Sequence, residues 1–261
     1  MLRTSYGFTL IEIAIVLVIV GLLLGGLLMP LAAQVEAQRR TETERTMEQI
    51  KEAMIGFALV NGRLPCPADP LLASGTVNAG SERTPTLTCG GNVLGVVPWA
   101  TLGVSETDAW GRRFTYRVTL SFGDSNPTTV TPPVGCNQTT TNAFFALCSD
   151  GDMNIQGTAP AVLVASLIPA VIVSHGKNGR GAYLPTGIQM TCPALPPPPP
   201  PPPPPQQEEI ENAMCPGDTP TVFISHSQTS ASAPGGEFDD LVTWIVPSVL
   251  KSRMVAAGRL P

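Results

Sequence analysis

The feature that most constrains this chain is a long uncharged stretch near its N-terminus. No charged residue occurs from Ile13 to Ala33, and about 20 consecutive apolar residues are enough to span a bilayer as a helix. The short segment before it, Met1–Gly7, holds one charged residue, Arg3. Secretory signals have apolar cores of about 7–15 residues and are cut after a small-residue site. Leu31-Ala32-Ala33 offers such a site, so a cleaved signal stays open as an alternative.

Glu12 is the exceptional residue of this segment. A carboxylate in a membrane helix costs about 2–3 kcal/mol even on permissive insertion scales, so it normally has a partner. Gly7 directly precedes Phe8-Thr9-Leu10-Ile11-Glu12, and this register resembles the processing motif of type IV prepilins and type II secretion pseudopilins. The resemblance implies cleavage after Gly7 by a membrane peptidase and methylation of the new N-terminus, Phe8. Glu12 would then pair with the N-terminal amine of a neighbouring subunit, because opposite charges in hydrocarbon attract strongly.

Composition and cysteine usage exclude several classes of protein. The 261 residues are only 13% charged, and the net charge of -5 gives no overall basic footprint for nucleic acid. The six cysteines form no close C-x-x-C pair, which argues against a zinc site. An even, scattered set is typical of disulfides in an oxidising compartment. Six cysteines allow 15 connectivities, and we predict the sequential pairs Cys66–Cys89, Cys136–Cys148 and Cys192–Cys215.

The orientation of the predicted membrane span is not decided by charge. Arg3 precedes the span and Arg39 and Arg40 follow it, so the positive-inside rule is equivocal. The cysteines and the prepilin-like motif together favour a cytoplasmic N-terminus and a periplasmic body. We therefore expect a single-pass protein of the bacterial inner membrane that later enters a filament.

The predicted helix continues beyond the apolar run. Residues 34–60 contain no proline and a single glycine, Asn61-Gly62 supplies a stop, and Pro65 prevents the helix from resuming. Pro30 should kink the membrane half. The apolar side chains that recur at three- and four-residue steps, and so face a globular body, are Met47, Ile50, Met54, Phe57 and Ala58.

These boundaries divide the chain into four predicted segments: a leader peptide at 1–7, a membrane-spanning half-helix at 8–33, an amphipathic periplasmic half-helix at 34–62, and a β-rich domain at 63–261. Within the last, ten consecutive prolines at 196–205 form a polyproline II rod that cannot lie inside a sheet. Two cysteines bracket this run, so residues 193–214 are predicted to form an excursion, a projecting loop that a disulfide bond closes at its base. It is either a disordered tether or a docking ligand for an aromatic groove.

Strand patterns occur at several places in the predicted β-rich domain. Alternating apolar residues at 114, 116, 118 and 120 predict a half-buried strand. Residues 170–173, 221–225 and 241–246 predict further strands, and Pro247 opens a final helix with Leu250 and Met254 inward and Gly258 as its stop. These patterns predict an α+β fold, and the prepilin resemblance implies that it is pilin-like: a long N-terminal helix, membrane-spanning in its first half, packed on an antiparallel β-sheet with disulfide-stapled loops.

Candidate catalytic and metal-ligating residues are few. The sequence offers no third residue that would complete a metal site with His175 and His226. It also lacks the G-x-S-x-G serine of a hydrolase, so we interpret both histidines as polar residues at strand ends. The segment from Asp150 begins like an EF-hand loop, but it lacks the required glycine and glutamate. The pseudopilin resemblance implies calcium binding near the C-terminus, with Asp239 and Asp240 as position-matched candidates. The alternative is a pair of solvated carboxylates that cap a turn.

The function predicted from the sequence is structural and not enzymatic. The chain would be a minor or specialised subunit of a type IV pilus or type II secretion pseudopilus, assembled through its N-terminal helix. Its partners would be other pilin or pseudopilin subunits, a prepilin peptidase/methylase, an inner-membrane assembly platform and the lipid bilayer. The alternative is a periplasmic binding or enzymatic domain on a plain membrane anchor, which would tolerate alanine at Glu12 and show no cleavage after Gly7.

Overall fold

The computed structural model describes most of the chain after the first eight residues. The described residues are 9–83, 89, 91–124, 143–157, 162–192, 207–213, 215, 220–230, 232–233 and 236–260, except for the side chains of 23–31 and 207. The chain divides into two compact units, Met1–Thr41 and Glu42–Pro261. The fold is α+β, with an N-terminal helix packed on an antiparallel sheet.

Helices and strands alternate irregularly along the chain. The described helices are α1 (Leu10–Asn61), α2 (Trp99–Leu102), α3 (Leu120–Gly123), α4 (Gln207–Asn212) and α5 (Pro247–Ala256). The described strands are β1 (Leu94–Val96), β2 (Thr115–Val118), β3 (Met153–Gln156), β4 (Leu163–Ile168), β5 (Ala170–Ser174), β6 (Val222–Ile224) and β7 (Leu241–Ile245).

The later part of α1 packs one face on the body of the second unit. Met47, Ile50 and Met54 are almost fully buried there, as their spacing predicts. Phe57 departs from the prediction because it is only half-buried, with the Arg63 guanidinium 5.4 Å from its ring centroid. Burying apolar side chains on one helical stripe is the main source of helix stability in a folded protein.

Helix α1 ends in the way the sequence predicts. Gly62 adopts a φ of 74°, which favours glycine, and its N–H donates to the Ala58 carbonyl over 2.8 Å. The guanidinium of Arg259 donates to the carbonyls of Leu59 (2.6 Å) and Val60 (2.8 Å). These bonds satisfy carbonyls that have no partner inside the helix.

The main sheet has four antiparallel strands in the order β1-β2-β5-β7. The central pair is in register with Tyr116 opposite Ile172, and Ile172 is opposite Thr243 of β7. One face of this sheet packs on α1 and α5, where Leu250 and Met254 are fully buried as predicted. The antiparallel sheet and the final helix therefore form as the sequence patterns indicate.

A second sheet, of order β4-β3-β6, covers the other face. Met153, Ile155 and Phe223 from this sheet pack with Val171 and Val173 of β5. Because both faces are covered, all four residues of β2 are buried, and the prediction of a half-buried strand is wrong. The predicted alternation also ends early, since residue 120 begins α3.

The second sheet mixes strand directions. Strand β3 pairs antiparallel with β4 and parallel with β6, and the parallel pair departs from the antiparallel prediction. The outer edge of β6 is capped by Asn212, whose side-chain oxygen accepts from the Ile224 N–H (2.8 Å) and whose amide donates to the Ile224 carbonyl (2.9 Å). This places α4, which lies in the predicted excursion, against the body of the protein.

Two predicted disulfides are present among the described residues. Cys66 is bonded to Cys89, and Cys192 to Cys215, each across a sequence separation of 23. The third predicted pair involves Cys136, which lies outside the described residues.

The predicted membrane span falls largely on α1. Over the part of the chain that the structure describes, none of the helices has the length and apolar character required to cross a bilayer. The side chains of residues 23–31, including the predicted kink at Pro30, lie outside that part.

Candidate functional site

The start of α1 is closed by a reciprocal pair of side chains. The backbone N–H and hydroxyl of Thr9 donate to Glu12 Oε2 over 3.0 and 2.9 Å, and the Glu12 N–H donates back to Thr9 Oγ1 over 3.3 Å. This is a capping box, which satisfies N–H groups that lack a partner in the first turn. Sequence reasoning assigned Glu12 to assembly and missed this local role, although the Thr-x-x-Glu spacing carries the signal.

The first described turns of α1 are apolar on every side. Ten large aliphatic side chains between residues 10 and 22 are exposed, with fractions from 43% at Val20 to 89% at Leu10. A helix that is hydrophobic all round is buried in a core or a membrane in its working environment. Exposed apolar area of this extent marks a surface that other molecules cover. The residues concerned are Leu10, Ile11, Ile13, Ile15, Val16, Leu17, Val18, Ile19, Val20 and Leu22.

Comparison with known proteins bears on this N-terminal segment. Residues 2–28 match the family model of the prokaryotic N-terminal methylation motif. The chain carries a prepilin-type motif. This motif is the signature of type IV pilin and pseudopilin precursors, and it confirms the resemblance seen in the sequence. Gly7 and Phe8 lie outside the described residues, so their roles in cleavage and methylation stay predictions.

The prepilin-type motif has direct consequences for the partners of the chain. It implies processing by a prepilin peptidase and assembly with other pilin subunits. No curated protein and no solved structure matched the chain. The motif spans 27 residues, and the body that follows is therefore interpreted from its own geometry.

A second candidate site is a cluster of three buried carboxyl groups, Glu209, Asp239 and Asp240. One oxygen from each lies within 4.8 Å of the others. Oxygens around a single Ca²⁺ lie about 2.3–2.6 Å from the ion and hence up to about 5 Å apart. The spacing of this acidic cluster therefore fits oxygen atoms that share one ion.

Three segments bring the acidic cluster together. Glu209 lies on α4, and Asp239 and Asp240 directly precede β7. The glycine-rich turn after β5 supplies Asn178, whose backbone N–H donates to Asp239 Oδ2 (2.9 Å) and whose amide donates to Glu209 Oε1 (2.6 Å). Gly176 has a φ of 51°, and a Cβ added there would lie 2.3 Å from the Asp239 carbonyl. Only glycine allows this close approach.

Neighbouring side chains neutralise or hydrogen-bond only some of the carboxyl oxygens of the acidic cluster. Arg180 Nη1 donates to Glu209 Oε2 over 2.8 Å, and Asn212 donates to Asp240 Oδ2 over 2.9 Å. Asp239 is only 5% exposed, and its Oδ1 has no hydrogen-bond partner. A buried carboxylate oxygen without a partner is costly, which makes this oxygen available to a cation.

Burial dominates the electrostatics of the acidic cluster. It raises the pKa of Asp239 to about 6, and the negative charges of Glu209 and Glu237 add to the effect. Burial also raises the pKa of Asp240 well above its ordinary value and raises the pKa of Glu209, although Asn178 and Arg180 oppose the rise at Glu209. Such groups are unfavourable as free anions, so a proton or a cation stabilises them.

The two histidines do not form a catalytic arrangement with the described residues. His175 is fully buried, with Nε2 2.7 Å from Thr115 Oγ1 and Nδ1 3.8 Å from Asp240 Oδ1. Burial and the charge of Arg112 lower its pKa to about 3, so the ring is neutral. His226 stacks on Phe238 with centroids 3.9 Å apart. Both serve packing and hydrogen bonding at strand ends.

The sequence predicted two members of the acidic cluster and missed the third. Asp239 and Asp240 were singled out through the pseudopilin resemblance. Glu209 belongs to a six-residue helix that follows the proline run, and no periodicity or spacing links it to residue 239. The acidic pair Glu208-Glu209 was the available signal, but it does not tell which of the two faces the cluster.

Proposed function

We propose that this chain is a structural subunit, minor or specialised, of a type IV pilus or type II secretion pseudopilus. The observation that carries the proposal is the prepilin-type motif at residues 2–28, within which the first described turns of α1 expose aliphatic side chains all round. A bilayer would cover those side chains before assembly, and the helices of neighbouring subunits would cover them afterwards. The role is assembly rather than catalysis.

The proposed location follows from the same features. The N-terminus faces the cytoplasm, the body after the helix lies in the periplasm, and the subunit leaves the inner membrane when it enters a filament. The two disulfides of the body support an oxidising compartment. An inner-membrane assembly platform would extract the processed subunit.

Cleavage is tested by co-expressing the full chain with a prepilin peptidase, beside a Gly7→Ala control. Intact mass and N-terminal sequencing should show loss of residues 1–7 and a methylated Phe8, with no loss in the control. An uncut chain would contradict the proposal and favour an anchored periplasmic domain. A cut near Ala33 would instead indicate a secreted protein.

The assembly role of Glu12 is separable from its capping role. Glutamine can close a capping box as glutamate does, so Glu12→Gln keeps the cap and loses the charge. Thr9→Ala does the reverse. We expect Glu12→Gln to abolish incorporation into filaments and Thr9→Ala to retain it, as measured by shearing and immunoblotting. The opposite pattern would show that only the helix cap matters.

We propose calcium binding as a second function, carried by the acidic cluster and the unpartnered Asp239 Oδ1. Asp239 and Asp240 would hold the ion, which would screen the repulsion among buried carboxylates and stabilise the fold. Titration calorimetry with CaCl₂ on the full chain in detergent should show binding that Asp239→Asn abolishes. Asp69→Asn, which changes an aspartate outside the cluster, is the control and should bind as the wild type does.

A further inference from the structure

We propose that an apolar patch on β4 is a docking surface for the same patch of a second copy of this chain. The β4 patch consists of Val162, Leu163, Val164 and Leu167, which are between 49% and 63% exposed. The setting of this contact rests on the proposed function, because the inner membrane is where two copies would meet before either enters a filament.

The β4 patch lies at the edge of the second sheet. Strand β4 pairs with β3 on one side, and no described strand pairs with it on the other. Edge strands commonly carry charged side chains that prevent association with other chains. No ionisable residue occurs from Met153 to Ser174, a range that includes both β3 and β4. Charge therefore does not protect this edge.

Two bulges shape the surface of β4. In two successive intervals of their pairing, β4 holds one more residue than β3. Val164 fills one interval and Leu167 lies in the other, and both residues are exposed. Bulges re-aim side chains and interrupt the backbone ladder. The edge is therefore suited to packing of side chains and not to the addition of a further strand.

The backbone at Leu167 is strained without a compensating burial inside the chain. Leu167 has a φ of 58°, which is unfavourable for a bulky residue. Its carbonyl accepts from the Gly151 N–H over 3.2 Å, but 49% of the residue is exposed. Glycine or asparagine would adopt this conformation more readily. A leucine here completes its burial only when another molecule covers it.

Charge favours a second copy as the occupant of the β4 patch. The chain has a net charge of -5, so two copies repel each other over much of their surface. The acidic residue that precedes β3, Asp152, is paired with Arg117 through two hydrogen bonds of 2.8 and 2.7 Å. Two copies therefore bring their β4 patches together without placing like charges face to face.

Symmetry explains why one patch is sufficient. In a two-fold pair a surface contacts its own counterpart, whereas a heterologous contact needs a second, complementary surface. Among the described residues from Glu42 onward, no other stretch of six residues exposes four large apolar side chains. A two-fold pair is also not a helical step, so the contact belongs to subunits in the membrane and not to the interior of a filament.

Photo-cross-linking of the full-length chain in membrane vesicles tests the pairing. Benzoylphenylalanine in place of Leu163 should give a product of dimer mass after irradiation. Mass mapping should locate the cross-link within residues 162–168 of the second copy. Benzoylphenylalanine in place of Ile188, which is 64% exposed outside the patch, is the matched control and should give no dimer.

Substitutions within the β4 patch separate docking from folding. With the probe at residue 163, Val164→Asp should lower the dimer yield about tenfold or more, because two carboxylates would meet across the interface. Val77→Asp, at another exposed valine, should leave the yield unchanged. Leu167→Asn should also lower the yield, while its midpoint of unfolding in urea stays equal to that of the wild type or rises, because asparagine relieves the strain. A lower midpoint would show that Leu167 serves the fold instead.

The outcomes also separate the pairing from the filament role. A chain that forms no dimer, that cross-links only to lipid, or that cross-links outside residues 162–168 would overturn the pairing. An unchanged yield in Val164→Asp would overturn it as well. None of these results would touch the filament role, which depends on cleavage after Gly7. An uncut chain that still cross-links through β4 would keep the pairing and overturn the filament role.

Discussion

At the scale of single residues, buried polar groups decide the shape of the turns. Asp108 Oδ1 accepts from the N–H groups of Trp110 and Arg112, both over 2.9 Å, and Oδ2 accepts from Ser174 Oγ over 2.7 Å. Burial raises the pKa of Asp108, and these hydrogen bonds counteract the rise. One carboxylate therefore holds the turn before β2 to the end of β5.

Removing this carboxylate should destabilise the protein substantially. Asp108→Ala leaves three donors without an acceptor in a buried site, so we expect the free energy of unfolding to fall by about 2–3 kcal/mol. Urea unfolding followed by tryptophan fluorescence measures the change. Asp69→Ala removes one exposed turn bond, to the Leu71 N–H, and should cost no more than about 0.5 kcal/mol. Equal losses in the two variants would contradict this account.

The ion pair between Arg117 and Asp152 predicts a pH effect. Burial tends to raise the pKa of Asp152, but the bonds from Arg117 and Thr119 outweigh it and lower the pKa below 3.8. The unfolded chain therefore takes up this proton first, and the stabilisation present above pH 4 is lost as the pH falls through the folded-state pKa. Asp152→Asn should lose less stability than the wild type between pH 5 and pH 2.5. Parallel pH profiles of urea midpoints would contradict the prediction.

At the scale of elements, α1 combines two different environments in one helix. Its first described turns expose apolar side chains all round, while its later turns bury a single stripe. The spacing of Ile50 and Met54 was enough to predict the buried stripe. The uncharged run likewise predicted that the first turns are apolar, and their exposed aliphatic side chains agree with this. The membrane-spanning role of that run stays a prediction.

A matched pair of truncations tests the buried stripe. Ile50→Ala removes a fully buried side chain and should cost about 2–5 kcal/mol of unfolding free energy. Val60→Ala removes a side chain that is 69% exposed and should change stability little. Denaturant unfolding of the full chain gives both values. A small loss at Ile50 would show that this stripe does not anchor the body.

The second sheet shows where sequence reasoning failed at this scale. Strand β6 was predicted from the sequence, but β3 and β4 were not. Pairing partners also depend on contacts far apart in the chain. Strand β3 pairs with β6 although almost 70 residues separate Asn154 from its partner Val222. The alternation in β2 was interpreted as a strand with one face exposed to solvent, because no local sequence feature indicates that a second layer covers that face. The acidic cluster was incompletely predicted for the same reason.

At the scale of the whole molecule, two disulfides close loops of equal length in different surroundings. Both have a sequence separation of 23, so the chain-entropy contribution of each is similar, about 3 kcal/mol. Cys66 and Cys89 are fully buried, whereas Cys192 and Cys215 are partly exposed. The two disulfide bonds therefore differ in how accessible they are to solvent.

Mild reduction should reveal this difference in access. We expect dithiothreitol to open Cys192–Cys215 well before Cys66–Cys89 in the native chain, because a thiolate must reach the sulfur that it attacks. Alkylation at intervals followed by peptide mass mapping measures both rates. Unfolding in urea is the control and should make the rates similar. Earlier opening of Cys66–Cys89 in the native chain would contradict the prediction.

The hydrogen bonds from Arg259 to the C-terminal end of α1 also bear on how this protein folds. Arg259 satisfies carbonyls that lie 200 and 199 positions before it, so the end of α1 is completed by a residue far along the chain. Contacts this distant raise contact order and slow folding. A chain that lacks Arg259 would leave the carbonyls of Leu59 and Val60 without these hydrogen bonds. The helix through which subunits would assemble therefore reaches its final hydrogen bonding only after Arg259 has docked on its end.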